Sequence, residues 1–284
     1  MDYVPSSIVL PSPAALAAAW PTLAFAFLFG ACLGSFLNVC IYRLPADESV
    51  VHPGSRCPRC GTAIAWHDNI PILSWLWLAA RCRRCRAPIA ARYPFVELAT
   101  GALAVLAIVA FGPGARALVA FAFSAALLLI TFIDIDHRFI PDEVSLPGIV
   151  VGLAASFLPG PPTPLDAAIG AALGGGVLWA VAWLYERSTG VEGMGLGDVK
   201  LLAMIGAFLG WQAIPAVLVI ASVVGSIAGF AVMFAPGRRP QRRRIVRRLG
   251  RRALLPYVRR AARRTEIPFG PFLALGALVM LFFG

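Results

Sequence analysis

Residues 117–142 read ALVAFAFSAALLLITFIDIDHRFIPD, and this stretch decides what kind of molecule the chain is. From Ala117 to Ile133 no side chain is charged, and a run of ~17 apolar residues or more can cross a bilayer as a helix. Asp134, Asp136, His137, Arg138 and Asp142 follow at once. Ionisable groups set against lipid are costly and usually functional. The stretch therefore reads as a membrane helix with chemistry at its end.

Composition extends that reading to the whole chain. Of 284 residues, 59% are hydrophobic and 14% charged, against ~25% charged in an ordinary globular domain. A soluble fold of this length cannot hide so much apolar surface, and a disordered chain would be poor in it. Apolar runs at 14–42, 95–112, 116–133, 144–158, 166–185, 199–211, 214–235 and 267–283 predict an all-α polytopic membrane protein with about eight transmembrane helices. The first run contains Pro21, so only its second part is expected to cross. The fourth and sixth are short, and their ends are expected to be unwound or embedded beside neighbouring helices.

Arginine placement sets the orientation. With the amino terminus outside and eight alternating spans, all but one of the 25 basic residues fall on the inside, Arg116 being the exception. Positive charge in short loops stays cytoplasmic. The net charge of +11 is then a topology signal, not a nucleic-acid footprint, because no aromatic interleaving or DNA-reading motif accompanies it. Between Arg238 and Arg264, Ile245, Val246, Leu249 and Ala253 recur at helical spacing among arginines. That pattern suits an amphipathic helix on an anionic inner leaflet. The expected organisation is an outer segment and first helix at 1–42, a cytoplasmic module at 43–94, and a membrane domain at 95–284 interrupted by an arginine-rich loop at 237–266. No signal peptide and no repeat architecture are expected.

Cys57, Cys60, Cys82 and Cys85 form two Cys-x2-Cys pairs inside the 43–94 loop. In the cytoplasm disulfides seldom persist, and four thiolates at this spacing suit tetrahedral Zn²⁺. An iron–sulfur centre or unligated thiols are the alternatives. Gly61 follows the first pair where backbone must turn around a metal. A closed four-sulfur site has no open position, so its role is structural: it stabilises a small module with little core. Cys32 and Cys40 lie in the first apolar run and read as small buried hydrophobes.

The second acidic place is Gly193-Met194-Gly195-Leu196-Gly197-Asp198-Val199-Lys200, at the start of the sixth run. Under the alternating topology it shares an inner boundary with Asp134 and Asp136. Two close carboxylates cannot both ionise easily, so one holds a proton while the other stays charged. Such a pair can activate water and polarise a peptide carbonyl. Gly195 and Gly197 would let backbone and substrate approach the second acid closely. Taken singly, each acid could equally cap a helix, pair with Arg138 or Lys200, or sit among headgroups.

The order of the blocks is more specific than any one of them. Gly34-Ser35-Phe36-Leu37-Asn38-Val39, Arg43-Leu44-Pro45, the four cysteines and Trp66-His67-Asp68-Asn69-Ile70-Pro71 come first. Arg92-Tyr93-Pro94-Phe95-Val96-Glu97, the two acidic motifs and Ile267-Pro268-Phe269-Gly270-Pro271 then follow. Together they resemble the type IV prepilin peptidases, or type IV leader peptidases, of bacterial pilus and type II secretion systems. The resemblance implies an intramembrane aspartic endopeptidase of the Gly-x-Gly-Asp kind, with Asp134 and Asp198 as its catalytic pair. Asp134 is preferred to Asp136 because the family's reactive acid comes first in that short repeat. Gly195, Gly197, Asp136 and Lys200 are expected to support the site or bind substrate, and Asp142 to be structural. The resemblance further implies removal of the basic leader of prepilins and pseudopilins after a glycine, at the cytoplasmic face of the bacterial inner membrane. Methylation of the new amino terminus with S-adenosylmethionine would follow, although no methyl-donor residue can be read from the pattern. A peptidase without methyl transfer and a proton- or cation-coupled transporter are the alternatives. The arginine-rich stretch is longer than the family typically carries.

Overall fold

The computed structural model describes residues 13–190, 195–234 and 268–284. Eight apolar helices follow the eight apolar runs: α1 (Pro13–Arg43), α3 (Arg92–Phe111), α4 (Ala115–His137), α5 (Asp142–Ala155), α6 (Pro164–Thr189), α7 (Leu196–Leu209), α8 (Ala213–Phe234) and α9 (Gly270–Phe283). A five-residue α2 (Leu73–Trp77) lies in the loop between α1 and α3. The helix of α1 continues through Pro21. Among the described residues five helices are long and apolar enough to cross a membrane: α1, α3, α4, α6 and α8. By contrast α5, α7 and α9 have 14 residues each, or ~21 Å at 1.5 Å per residue, which is short of a ~30 Å hydrocarbon core. The arginine-rich stretch lies outside the described residues.

Polar clasps show how the short helices run. Arg116, near the start of α4, donates to the carbonyls of Leu158, Pro159 and Pro161, beyond the end of α5. Asp166, in the first turn of α6, accepts from Trp211 Nε1 and Gln212 Nε2, beyond the end of α7. At the other end Lys200, in the first turns of α7, pairs with Asp142 at the start of α5. Thus α4, α5, α6 and α7 alternate in direction, and the end of α4 shares one end of the bundle with the starts of α5 and α7.

Packing explains why α4 matters. One core cluster joins Phe123, Leu127 and Ile130 of α4 to Leu201, Met204 and Ile205 of α7, Val217 of α8 and Leu273 of α9. A second joins Phe121, Leu129 and Ile133 of α4 to Leu37 of α1 and Val96 and Ala104 of α3. Helix α4 is therefore buried on two faces and forms the seam between them. All residues from Leu201 to Ala207 of α7 are buried, as expected of a helix apolar all round and enclosed by protein. Small residues permit these approaches. A Cβ on Gly170 would lie 2.3 Å from the Gly206 carbonyl oxygen, and one on Gly34 would lie 2.7 Å from Glu97 Cα. Close backbone contact at glycines is a usual way for helices to associate in lipid.

Candidate active site and metal site

Asp134 ends the apolar run of α4 and is buried. Its Oδ2 accepts the Gly270 N–H at 3.0 Å. Gly270 opens α9, whose first N–H groups have no partner within the helix and carry the positive end of its dipole. The α9 amino terminus thus fixes the carboxylate. The fit has no slack, since a Cβ on Gly270 would fall 2.6 Å from that same oxygen.

Asp198 stands in the first turn of α7 and is half-buried. Ile140, from the segment after α4, packs the surroundings: a Cβ on Gly197 would lie 3.0 Å from Ile140 Cβ, and one on Gly270 3.4 Å from Ile140 Cδ1. Three segments far apart in sequence therefore converge on the two acids. Gly197 is needed for its small size against Ile140. Gly195, the residue before α7, has only the Gly197 nitrogen at 4.0 Å from where a Cβ would stand, so it borders open space.

The other boundary acids are engaged elsewhere. Lys200 holds both oxygens of Asp142 at 2.7 Å, and so does not pair with Asp198. Asp136 pairs with Arg92 in the first turn of α3. Arg92 also donates to the Phe132 carbonyl at 3.4 Å and lies 4.6 Å from the centre of the Phe132 ring. This arginine clamps the last turn of α4 through Phe132 and Asp136, which lie on the helix face opposite Asp134. The sequence reading left Gly270, Arg92 and Glu97 without a role.

The tetracysteine module repeats one turn design. Cys57 N–H donates to Thr62 and Cys82 N–H to Ala87, while Gly61 N–H returns to Cys57 and Arg86 N–H to Cys82. The two loops superpose at an offset of 25 residues, with bridges Arg56↔Ala63 and Arg81↔Pro88 closing them. Gly61 takes the left-handed conformation, φ 69°, that the first turn needs; Arg86 takes it at φ 58° in the second. The four sulfurs lie within 4.8 Å of one another. Cys57 Sγ and Cys85 Sγ are 3.8 Å apart, close to the edge of about 3.8 Å of a tetrahedron with ~2.3 Å metal–sulfur bonds. Thiol chemistry also shows crowding. The Thr62 hydroxyl and N–H pull Cys60 down to about 6. Cys85 receives the Ala87 N–H, but desolvation and the adjacent sulfurs push it up to about 11. Without a cation the four cannot all ionise, and a bound metal ion removes that conflict. Arg83 holds Asp68 through bonds of 2.7 and 2.6 Å and keeps that carboxyl below its ordinary range.

Comparison with known proteins identifies the family. The bacterial peptidase A24 N-terminal domain matches residues 28–111, and the type IV leader peptidase family matches residues 121–230. A prepilin leader peptidase/N-methyltransferase of Burkholderia pseudomallei (strain 1026b) is 40% identical, covering 99% of this chain and 92% of its own length. A protein of the same name from Aeromonas hydrophila is 39% identical over 93% of this chain and 92% of its own. Another, from Myxococcus xanthus (strain DK1622), is 45% identical over 71% of this chain and 60% of its own. No solved structure matches the chain.

Proposed function

We infer from the family to which the chain belongs, the type IV leader peptidases, that it is a multi-pass membrane enzyme that cleaves prepilins and methylates the amino terminus it exposes. Asp134 and Asp198 carry the cleavage. The bond from the Gly270 N–H to Asp134, with Ile140 packed against both Gly270 and the Gly197 that precedes Asp198, is the observation that supports this most. Asp134, held by the Gly270 N–H, is the ionised partner and takes a proton from water as the water oxygen attacks the scissile carbonyl carbon. Asp198 gives its proton to the carbonyl oxygen. When the carbon–nitrogen bond breaks, the leaving nitrogen takes up a proton, and a carboxyl group and a free amine result. A transporter would need the acids but would leave a prepilin's mass unchanged, and relatives of this name do not favour it.

Pseudopilins of type II secretion are proposed as further substrates. The bundle end that bears the acids is proposed to face the cytoplasm, with the amino terminus outside the bacterial inner membrane, because arginine crowds the loops on that side. The four cysteines are proposed to hold one structural Zn²⁺, for which their all-thiolate set and sulfur spacing fit. S-adenosylmethionine would supply the methyl group, as a carbon on a sulfonium that leaves as a neutral thioether, and the methylated pilin amine would shed one proton to water. Reconstituted protein should shorten a prepilin and then add a methyl group, both read by mass spectrometry. Asp134→Asn and Asp198→Asn should each insert and fold but leave the leader in place. Cleavage at the normal rate by either variant would remove that residue from the catalytic pair.

A further inference from the structure

Asp134 closes α4 and is bonded to the start of α9, whereas Asp198 stands on the start of α7. The two acids can act on one peptide bond only while the starts of α7 and α9 keep a set distance. We propose that Ile140 is the positioning residue that sets this distance, its side chain serving as a spacer between the two helix starts. The proposal rests on the aspartate-pair reading above and deepens it.

Ile140 meets both helix starts where they carry no side chain. A Cβ on Gly197, the neighbour of Asp198, would stand 3.0 Å from Ile140 Cβ and 3.5 Å from its Cγ1 and Cδ1. A Cβ on Gly270, whose N–H holds Asp134, would stand 3.4 Å from that same Cδ1. One terminal methyl therefore borders both glycines, and through them the backbone beside each acid. Ile140 is buried and belongs to the cluster that joins Leu201 and Leu202 of α7 to Leu273 and Ala274 of α9.

A spacer must itself be held, and the chain fixes Ile140 from both sides. Arg138 ends α4 in the left-handed conformation, φ 59°, with its N–H bonded to the Asp134 carbonyl at 2.9 Å. Pro141 follows Ile140, and a residue before proline is held to extended backbone. The Pro141 carbonyl then accepts the Ser145 N–H and the Ser145 hydroxyl, each at 3.1 Å. Ile140 is also β-branched, which makes it stiff at χ1. The pair between Lys200 and Asp142 draws the start of α7 toward α5, and Ile140 limits that approach.

The test measures kcat, KM and thermal unfolding of the full chain in lipid nanodiscs, with a prepilin as substrate. Ile140→Val removes only the methyl that borders both glycines. It should lower kcat about ten-fold at unchanged KM, since a misplacement of ~1 Å at reacting groups costs as much as ~100-fold. Gly197→Ala adds a methyl on the same line, and alone it should also lower kcat about ten-fold. Joined to Ile140→Val it should do the reverse, because the shortened side chain can shift to admit the new methyl. The double variant should return to within about three-fold of the native kcat, while its unfolding temperature falls by the sum of the single effects. Contacts that only stabilise the fold would instead multiply the losses in kcat. Multiplied losses, a kcat in Ile140→Val within about two-fold of native, or a raised KM at native kcat each overturn the spacer. Asp134→Asn and Asp198→Asn are assayed beside these variants. Native cleavage by either overturns the aspartate pair itself, whereas silence in both, with multiplied losses at Ile140 and Gly197, overturns the spacer alone.

Discussion

Gly270→Ala separates the geometry of the aspartate pair from its chemistry, because it alters neither acid. Gly270 does not have a positive φ, so alanine meets no backbone penalty there. What it meets is Asp134, with the new Cβ 2.6 Å from Oδ2. Carbon and oxygen cannot share that distance, so the carboxylate must swing away or α9 must shift, and the 3.0 Å bond from the Gly270 N–H is lost. A hydrogen bond to a charged group contributes ~1.5–3 kcal/mol. If it acts fully on the reaction, kcat falls roughly 10- to 150-fold, at about 1.4 kcal/mol per factor of ten. Folding should hold, because Leu273, Ala274 and Ala277 of α9 stay packed in their core. The assay is prepilin cleavage in lipid, with thermal unfolding as the control. A kcat within two-fold of the native value, in a folded variant, would refute the role given to the α9 terminus.

Arg92→Ala should cost less than ~1 kcal/mol in stability, since Arg92 and Asp136 are each about a third exposed and solvent screens the pair. It should still slow cleavage about ten-fold at unchanged KM, because the last turn of α4 loses its clamp; steady-state kinetics with calorimetry distinguish the two effects. Elemental analysis should find about one zinc per chain, and Cys57→Ser with Cys60→Ser should lose it before cleavage fails. In metal-free protein Cys60, with its thiol at about 6, should alkylate at pH 7 far faster than Cys85 at about 11. A depressed pKa leaves the Cys60 thiolate present until pH falls through about 6. Its alkylation should therefore level off above pH 7, while that of Cys85 still climbs; metal should silence both, as peptide mass mapping would show.

Apolar patterning revealed all eight helices because lipid demands it of every segment that meets lipid. It revealed their number better than their manner of crossing. Residues 199–211 form an apolar run that reads as a short crossing, yet Leu201 to Ala207 are enclosed by protein. The cysteine pairs were legible from spacing, since a metal knuckle is a local turn, and Gly61 marked one of the two turns. Arg86, its counterpart, carried no such mark because a non-glycine residue takes the left-handed conformation there. Gly270 was invisible as a functional residue: its bond to Asp134 spans 136 positions, and a glycine before Pro271 resembles an ordinary helix start. Glu97 had a readable signal, an acid just inside an apolar run, but it lacked a second acid to suggest chemistry. Lys200, two residues from Asp198, shows the limit of proximity in sequence, since it turns instead to Asp142.

Helix α3 braces the end of α4 that carries the acids. Arg92 in its first turn grips Asp136 and the carbonyl of Phe132, and so braces the helix end that presents Asp134. Five residues later, more than one turn on, Glu97 holds Ile72 and faces a cavity that the cysteine module walls. Helix α1 packs on α3 through Gly30 and Gly34 and through the bond from Asn38 to the Tyr93 carbonyl, and α3 packs on α4 through the Ile133 cluster. The tetracysteine module meets these helices through the bond from the Ile72 N–H to Glu97. Cleavage, braced within the helices, should therefore persist when the module loosens.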